Sequence, residues 1–251
     1  MVEKQGRGIR LTAAGQVYAR YARTILGTYE QALAAARSQH CSETGMVRIG
    51  AATTAGEHIL PHLLASFRVA YPRVEIGLEV ARRSQVWEML EHRETDLAVA
   101  GRPPRRLPVR TRAVRTNDLV VVGSPAVAEK FVAEEATWLL REDGSGTRAA
   151  CLELLTTLDR MPGVLTLGSN GAAVAAAVAG LGVTLVSRDA VRVRCAAAEL
   201  VELPMAGTPM NRPWHVVTHV EISPTTRLML RHLLADPTDG WQRARISPAG
   251  P

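Results

Sequence analysis

The chain has 251 residues, of which 47% are hydrophobic and 22% charged, a composition typical of a soluble globular protein with room for one large domain or two small ones. Its apolar runs are too short for a charge-free membrane span of roughly 18 residues, and its start lacks the apolar region of an export signal, which together predict a cytoplasmic protein without membrane contact. The net charge of +6 is compatible with an acidic partner, and the three scattered cysteines favour inert thiols over disulfides or metal ligation.

The first forty residues are basic and predict a long helix. Thr12 precedes the helical pattern and is suited to cap it, because its hydroxyl can accept a hydrogen bond from a free amide of the first turn. Larger apolar residues then recur at steps of three and four, at Leu11, Ala14, Tyr18, Tyr21, Ile25, Tyr29, Ala32 and Ala36. A helix of about 28 residues is roughly 40 Å long, and so narrow a stripe favours pairing with a second helix. Packing on its own domain is the alternative, and the polar stretch 38–45 predicts a linker.

From residue 46 the pattern changes to alternating strands and helices. The segments predict a strand at 46–52, a helix ending at Tyr71, a strand at 74–81, a helix at 84–94 and a strand at 96–101. This order predicts a parallel sheet with right-handed crossovers. A second unit starts at 119–125 and continues over 137–158 and 165–187, before a late strand at 213–220 and a last helix at 224–235.

Three loops of this pattern are suited to hold an anion, because ligands of such folds bind beyond the carboxyl ends of the strands, at helix N-termini. The loops are 52–57 with Thr53 and Thr54, 141–148 with the sequence REDGSGTR, and 168–173 with Ser169 and Asn170. The middle loop is the most informative, since its two glycines free the backbone and its two hydroxyls and two arginines can face an anion. Simple helix capping explains Asn170 equally well, and it also explains Ser84, which opens the helix at 84–94.

Five segments resemble the LysR-type transcriptional regulators. GRGIRLTAAG (6–15) is similar to the wing of a winged helix-turn-helix, with the pattern basic–x–LT–x–x–G, and the helix that contains YARTIL is similar to the family's linker helix. The segment 46–78 resembles the start of an effector-binding domain, where "IG…ILP…F…YP" recurs. DLAVAGRPP (96–104) and LLREDGSGTR (139–148) look similar to the branch that controls Calvin-cycle carbon-fixation operons.

The resemblance implies an α/β fold of two Rossmann-like subdomains of the periplasmic-binding-protein type, preceded by a long linker helix and the remnant of a winged helix-turn-helix. The implied boundaries are 1–12 for the wing remnant, 13–40 for the linker and dimerisation helix, 46–118 with 216–236 for subdomain I, 119–215 for subdomain II and 237–251 for a disordered tail. The chain would cross between subdomains near 117–121 and return near 212–216.

The resemblance also implies two sets of contact residues. The effector would lie in the cleft between the subdomains, against Thr53, Thr54, Ser84, Arg102, Ser145, Gly146, Thr147, Arg148 and Asn170. The wing would touch DNA phosphates through Lys4, Arg7 and Arg10, because wing arginines sit beside the helix that reads bases. We expect no metal ligands, no catalytic residues and no cofactor.

The function that the resemblance implies is ligand-controlled transcription. A small anionic metabolite would act through its different affinity for two arrangements of a homodimer or tetramer. A sugar phosphate, phosphoenolpyruvate or a nicotinamide nucleotide would suit the carbon-fixation branch. DNA is a partner only if the helix-turn-helix that precedes the wing in this family is present, and we expect most of it to be missing from this chain.

Two other classes of protein remain open on the sequence. An anion-binding protein of the solute-binding fold, without DNA-binding activity, would share the two-lobed architecture, although the heptad-like helix and the missing export signal argue against it. An enzyme would need a catalytic constellation, and none is recognisable. His58 and His62 lie four residues apart after Glu57, but the HExxH spacing of a zinc site is not met.

Overall fold

The N-terminal part of the molecule is a hairpin followed by a long helix. The computed structural model describes residues 1–6, 8–38 and 43–244. The elements here are β1 (Val2–Gln5), β2 (Gly8–Leu11) and α1 (Ala13–Ser38). The Thr12 hydroxyl accepts a hydrogen bond from the Gly15 amide at 3.1 Å, so the predicted N-cap is confirmed. Residues 39–40 of the predicted helix, residues 39–42 of the predicted linker (Cys41 among them) and Arg7 lie outside the described residues.

The next part of the chain alternates strands and helices. Its elements are β3 (Gly45–Ala52), α2 (Thr53–His58), α3 (Leu60–Ala70), β4 (Val74–Ala81), α4 (Arg83–Glu91), β5 (Leu97–Ala100) and β6 (Val109–Arg115). Strand β3 pairs in parallel with both β4 and β5, which confirms the predicted parallel arrangement.

The second unit is built around one buried strand. Its elements are β7 (Asp118–Gly123), α5 (Pro125–Ala128), β8 (Trp138–Leu140), α6 (Gly146–Leu155), β9 (Val164–Thr166), α7 (Asn170–Val178), β10 (Thr184–Ser187), α8 (Arg188–Ala196), β11 (Val201–Leu203) and β12 (Met210–Asn211). Strand β7 pairs antiparallel with β10, β11 and β12, and β8 pairs in parallel with β9.

The chain then returns to the first unit. The returning elements are β13 (Trp214–His219), α9 (Pro224–Leu233), a 3-10 turn (Pro237–Asp239) and β14 (Trp241–Arg243). They complete a six-stranded sheet in the order β14-β6-β13-β5-β3-β4. The fold is therefore two α/β subdomains joined by two crossings, one at 116–117 and one at 212–213, which confirms the predicted fold class.

Each subdomain has its own apolar core. In subdomain I the fully buried side chains of Ile49, Phe67 and Met229 bring together β3, α3 and α9. In subdomain II Trp138 and Leu155 are fully buried between β8 and α6. The burial of large aliphatic and aromatic side chains supplies the main stabilisation of such cores. The helices of the described ranges are too short or too polar to cross a membrane.

Two local predictions about helices are wrong. The helix expected to run up to Tyr71 is broken at Ile59, because Pro61 in the next turn has no amide to continue the hydrogen-bond ladder. Helix α4 starts one residue before Ser84, with Arg82 in the capping position, so Ser84 is not a cap.

The predicted disordered tail is wrong for residues 237–244. Strand β14 pairs with β6, and the indole of Trp241 is buried in the core of subdomain I. The Pro, Gly and Asp residues that suggested disorder form the 3-10 turn before this strand, with Gly240 in the left-handed conformation at φ +73°. Residues 245–251 lie outside the described part of the chain.

Candidate functional site

The two subdomains enclose a cleft of about 720 Å³. The carboxyl ends of the parallel strands β3, β4 and β5 open into it, which is where open α/β sheets bind ligands. The opposite wall is the loop between β8 and α6, and the base is formed by the two crossings. The cleft is thus built where the sequence analysis expects a ligand.

The REDGSGTR loop forms the wall from subdomain II. Gly144 has φ +83°, a conformation that other residues rarely adopt, and it turns the chain into α6. The Ser145 hydroxyl accepts a hydrogen bond from the Arg148 amide at 3.3 Å and so caps α6. The free amides of this helix N-terminus, together with the hydroxyls of Ser145 and Thr147, lie beside the cleft and favour negative charge.

Arg141 and Glu142 form an ion pair inside the cleft. The buried Arg141 guanidinium donates to both carboxylate oxygens of Glu142, at 2.7 and 3.2 Å. Burial alone would raise the pKa of Glu142, but the hydrogen bond and the charge of Arg141 outweigh it and lower the pKa. Glu142 therefore stays ionised and neutralises Arg141.

Arg148 braces the loop and does not line the cleft. Its guanidinium donates to the Arg141 carbonyl at 2.8 Å and to the Thr166 hydroxyl at 3.1 Å, and it pairs with Asp143 at 3.0 Å. The side chain instead adjoins a second cavity of about 530 Å³ between α4 and α6, which Ser84 also lines. Arg148 and Ser84 are therefore not placed among the residues of the main cleft.

Subdomain I contributes hydroxyls and arginines to the cleft. Thr53 and Thr54 open α2 directly after β3, and Thr54 is buried. Arg82 and Arg83 follow β4, and the Arg83 guanidinium donates to the Arg102 carbonyl at 2.7 Å. The side chain of Arg102 is exposed at the cleft edge.

His215, in strand β13, is a cleft residue that the sequence analysis did not predict. Its ring nitrogen Nδ1 lies 3.0 Å from the Pro213 carbonyl, which requires Nδ1 to carry the proton and leaves Nε2 as an acceptor. Burial lowers the pKa of His215, and the positive charges of Arg102 and Arg83 lower it further. His215 is therefore neutral at pH 7.

Asn117 clamps the two crossings together. Its side-chain amide donates to the Arg212 carbonyl at 2.8 Å, and the Arg212 amide donates back to the Asn117 carbonyl at 2.8 Å. The Ser187 hydroxyl donates to Oδ1 of Asn117 at 2.7 Å. Beside this clamp, Arg115 of subdomain I and Asp189 of subdomain II form a two-bond ion pair, at 2.6 and 3.0 Å. These contacts fix the hinge in the observed arrangement.

The structure brings most of the predicted effector residues together. The main cleft is lined by Thr53, Thr54, Arg102, Ser145, Gly146 and Thr147. Asn170 is different: it is buried at the start of α7, behind the Ser169 cap, and is not among the residues that line either cavity. Sequence reasoning missed Arg82, Arg83 and His215, and their only signal was a position just after or within a strand end.

The predicted wing residues lie on the N-terminal hairpin. Arg10 pairs with Glu3 across the two strands at 2.7 Å, which reduces the positive charge it presents. Lys4 is exposed on the same hairpin. Between residues 1 and 244, apart from Arg7 and 39–42, no three His, Cys, Asp or Glu side chains cluster as metal ligands.

The cleft carries more positive than negative charge. Five arginines line it, Arg82, Arg83, Arg102, Arg141 and Arg212, against two glutamates, Glu142 and Glu153. Both glutamates are already paired, with Arg141 and Arg212 respectively. The remaining three arginines, all in subdomain I, form no salt bridge with a carboxylate among the described residues, although the charge of Arg82 also acts on Glu142. The cleft is therefore suited to an anion.

Comparison with known proteins gives a consistent result. Residues 41–237 match the family model described as LysR substrate binding domain. The HTH-type transcriptional regulator CbbR of Rhodospirillum rubrum is 33% identical over 243 residues, which cover 94% of this chain and 81% of that protein. A RuBisCO operon transcriptional regulator of Acidithiobacillus ferrooxidans is 29% identical over 254 residues, 96% of this chain and 81% of that one.

Solved structures show the same fold. The Synechocystis CcmR regulatory domain in complex with 2-PG superposes with a TM-score of 0.70 at 30% identity, covering 76% of this chain and 97% of that one. A full-length OxyR variant from Pseudomonas aeruginosa superposes with a TM-score of 0.71 at 17% identity, over 98% of this chain and 83% of that one, a likeness of fold alone.

Proposed function

Because this chain belongs to the LysR family of transcriptional regulators, we propose that it senses a small anionic metabolite in the cleft between its subdomains and so controls transcription. It resembles the regulators of carbon-fixation operons, as its sequence similarity to CbbR and RuBisCO operon regulators indicates. In this proposal the ligand changes the balance between two arrangements of the subdomains about the clamp at Asn117 and Arg212.

The single observation that carries this proposal is the unpaired positive charge of the cleft. Arg82, Arg83 and Arg102 face the N-terminus of α6 across the cleft, and none of them forms a salt bridge with a carboxylate in the described ranges. In the proposal an anion bridges the two walls, held by the arginines on one side and by Ser145 and Thr147 on the other. The 2-PG complex of the similar CcmR domain supports the same class of ligand.

The proposal assigns the N-terminal segment to DNA and to a second copy of the chain. The hairpin would touch DNA phosphates through Lys4, and through Arg7 and Arg10, beside a helix-turn-helix. Helix α1 would pair with its copy in a homodimer or tetramer through its exposed stripe of Tyr18, Tyr21, Ile25 and Tyr29. The protein would act in the cytoplasm as a regulator and not as an enzyme.

A matched pair of arginine variants tests the proposal. Thermal shift and titration calorimetry would be run with 2-PG, phosphoenolpyruvate, a sugar bisphosphate and a nicotinamide nucleotide. A ligand at a hundredfold excess over its dissociation constant stabilises the fold by about 2.7 kcal/mol. Arg102→Ala removes a charged hydrogen-bond donor from the cleft and should weaken binding by about 1.5–3 kcal/mol, or roughly 10- to 150-fold.

Arg105→Ala is the control, since Arg105 is exposed three residues away and lines neither cavity. It should bind as the wild type does. If no anion of the panel binds, or if both variants weaken binding equally through the net charge of the protein, the proposed cleft assignment is wrong.

A further inference from the structure

Helix α1 contacts subdomain I through Gly27, where a side chain would collide with the backbone of the neighbouring turn. A Cβ atom placed on Gly27 would lie 2.6 Å from the carbonyl oxygens of both His92 and Arg93, far inside van der Waals contact. These two carbonyls belong to the turn that ends α4. The backbone of α1 therefore rests directly on this turn, and the absence of a side chain at position 27 is what permits the contact.

Polar side chains surround the glycine contact. The Thr24 hydroxyl lies 3.1 Å from Nδ1 of His92. Gln31 uses both ends of its amide: its oxygen accepts from Arg93 Nη1 at 2.7 Å, and its nitrogen donates to Asp96 at 3.1 Å. Thr24, Gly27 and Gln31 are spaced by three and four residues, so they share one face of α1.

Arg48 fastens the same region from β3. Its guanidinium donates to Asp96 at 3.0 Å, to the Arg93 carbonyl at 3.0 Å and to Glu30 of α1 at 2.7 Å. Arg93 itself has φ +59°, a left-handed conformation that costs energy for a residue with a side chain. We call residues 92–96 together with Arg48 the docking seat. The strained turn and the hydrogen bonds of Arg48, Arg93 and Asp96 indicate a specific contact surface for a helix.

The docking face of α1 is not its apolar stripe. Tyr18, Tyr21, Ile25 and Tyr29 remain more than half exposed in the single chain, while the polar face that contains Gly27 lies on the seat. One face of α1 therefore packs on the chain's own domain and the apolar stripe is left exposed, so pairing with a second helix stays a prediction.

Helix α4 connects the cleft to the docking seat. Its first residue, Arg83, lines the cleft, and the residue after its end, His92, carries one of the two carbonyls under Gly27. Nine residues of helix span about 13.5 Å. Arg83 now donates to the neutral Arg102 carbonyl, and an anion would offer it a stronger, charge-assisted partner. A movement of Arg83 at the start of α4 would also move His92 at its end, because a hydrogen-bonded helix of this length moves as a rigid unit.

We propose that the docking seat holds α1 against subdomain I, and that α4 couples occupancy of the cleft to this docking. The first half stands on the contacts of Gly27, Thr24, Gln31 and the seat. The second half rests on the proposed function, since it needs an anion in the cleft. The coupling gives the ligand a route to the segment that leads to the DNA-binding hairpin.

Gly27→Ala in the full chain tests the docking. The added methyl group collides with the two carbonyls, while alanine favours helix more than glycine does, so α1 should stay helical and leave the seat. Hydrogen exchange of the amides at 92–96 and 24–31 should become at least about tenfold faster. Gln31→Ala removes two hydrogen bonds without a collision, so it should accelerate hydrogen exchange in the same peptides by a smaller factor. This variant tests the docking even if Gly27→Ala fails to fold.

Thr28→Ala is the control, because the exposed Thr28 hydroxyl, within the described part of the chain, bonds only to the Thr24 carbonyl of its own helix. Its exchange at 92–96 should equal that of the wild type. Unchanged exchange in both Gly27→Ala and Gln31→Ala, or equal acceleration in Thr28→Ala, would overturn the docking.

Ligand affinity tests the coupling, because the two equilibria are linked. If a bound ligand changes the equilibrium constant for docking of α1 by some factor, docking changes the ligand's dissociation constant by the same factor. The dissociation constants of 2-PG and inorganic phosphate should differ between Gly27→Ala and wild type by about fivefold or more. Equal constants would overturn the coupling and leave the proposed function standing. If another anion of the panel binds in their place, the same comparison is made with that anion. If no anion binds wild-type protein, the proposed function and the coupling both fail, while the exchange experiment still decides the docking.

Discussion

The hinge clamp should carry a large share of the stability of the crossing region, and Asn117→Ala is the change that tests it. The substitution removes the bond to the Arg212 carbonyl at 2.8 Å and the bond from the Ser187 hydroxyl at 2.7 Å. Ser187 is buried, so its hydroxyl would lose a partner that water cannot readily replace. A buried polar group left unpaired costs about 1–3 kcal/mol.

The Arg212 carbonyl and the Ser187 hydroxyl would both lose their partner, and a small cavity would replace the side chain of Asn117. Together these effects predict a loss of about 2–5 kcal/mol in the free energy of unfolding. Urea denaturation followed by tryptophan fluorescence and by circular dichroism measures this loss. Asn211→Ala is the matched control: Asn211 is exposed, and its amide donates to Asp118 at 3.1 Å. It should cost less than about 1 kcal/mol. If both variants lose a similar free energy of unfolding, the buried clamp at Asn117 does not stabilise the crossings more than an exposed asparagine does, and the reasoning is refuted.

Three further predictions concern titration, the C-terminal strand and thiol reactivity. Burial lowers the pKa of both His215 and His219, so the unfolded state binds more protons than the folded state just below pH 6.5. The free energy of unfolding, measured by urea denaturation, should therefore be full above pH 6.5 and fall as the pH decreases, by up to about 1.4 kcal/mol per pH unit for each histidine. His219→Gln should make this slope shallower, and a flat profile of the wild type from pH 7 to 5.5 would contradict the prediction. Trp241→Ala empties a buried indole site and should cost about 3–5 kcal/mol in the same assay, whereas a disordered tail would cost nothing. Burial raises the pKa of Cys151 to about 12, so the thiol should resist iodoacetamide at pH 8 in the native protein and react once urea unfolds it; fast native alkylation would show that the core of subdomain II opens readily.

Periodicity and turn residues predicted most of the fold. The alternation of apolar segments with helix starts located β3, β4 and β5, and the parallel pairing followed from their order. Strand β6 was not predicted, because Arg110, Arg112 and Arg115 give it a basic character that hides the pattern of a buried strand. Arg112 shows why arginine fits there: its guanidinium donates to Thr218 and to two carbonyls at the end of β13.

The sequence predicts the part of the site that consists of hydroxyl residues in the loops that follow strands. Thr53, Thr54, Ser145 and Thr147 meet at the cleft because their loops follow strands that open to the same edge. Arg148 could not be judged from the sequence, since only the folded loop shows that its guanidinium is used to brace the turn.

The docking seat lay beyond sequence reasoning altogether. Gly27 sits in the middle of a helix, where it costs about 1 kcal/mol relative to alanine, and the pattern of its neighbours gives no reason for it. The reason is a contact with residues 92 and 93, which are far away in the chain. Close backbone approaches between distant segments leave no periodic signal.

The most direct test of the anion-sensing account is a crystal structure of the chain with 2-PG at saturating concentration. The account predicts an anion in the cleft, with oxygen atoms within hydrogen-bond distance of Ser145 or Thr147 on one wall and of Arg82, Arg83 or Arg102 on the other. A ligand bound only at the outer cavity between α4 and α6, or an empty cleft at saturation, would contradict it.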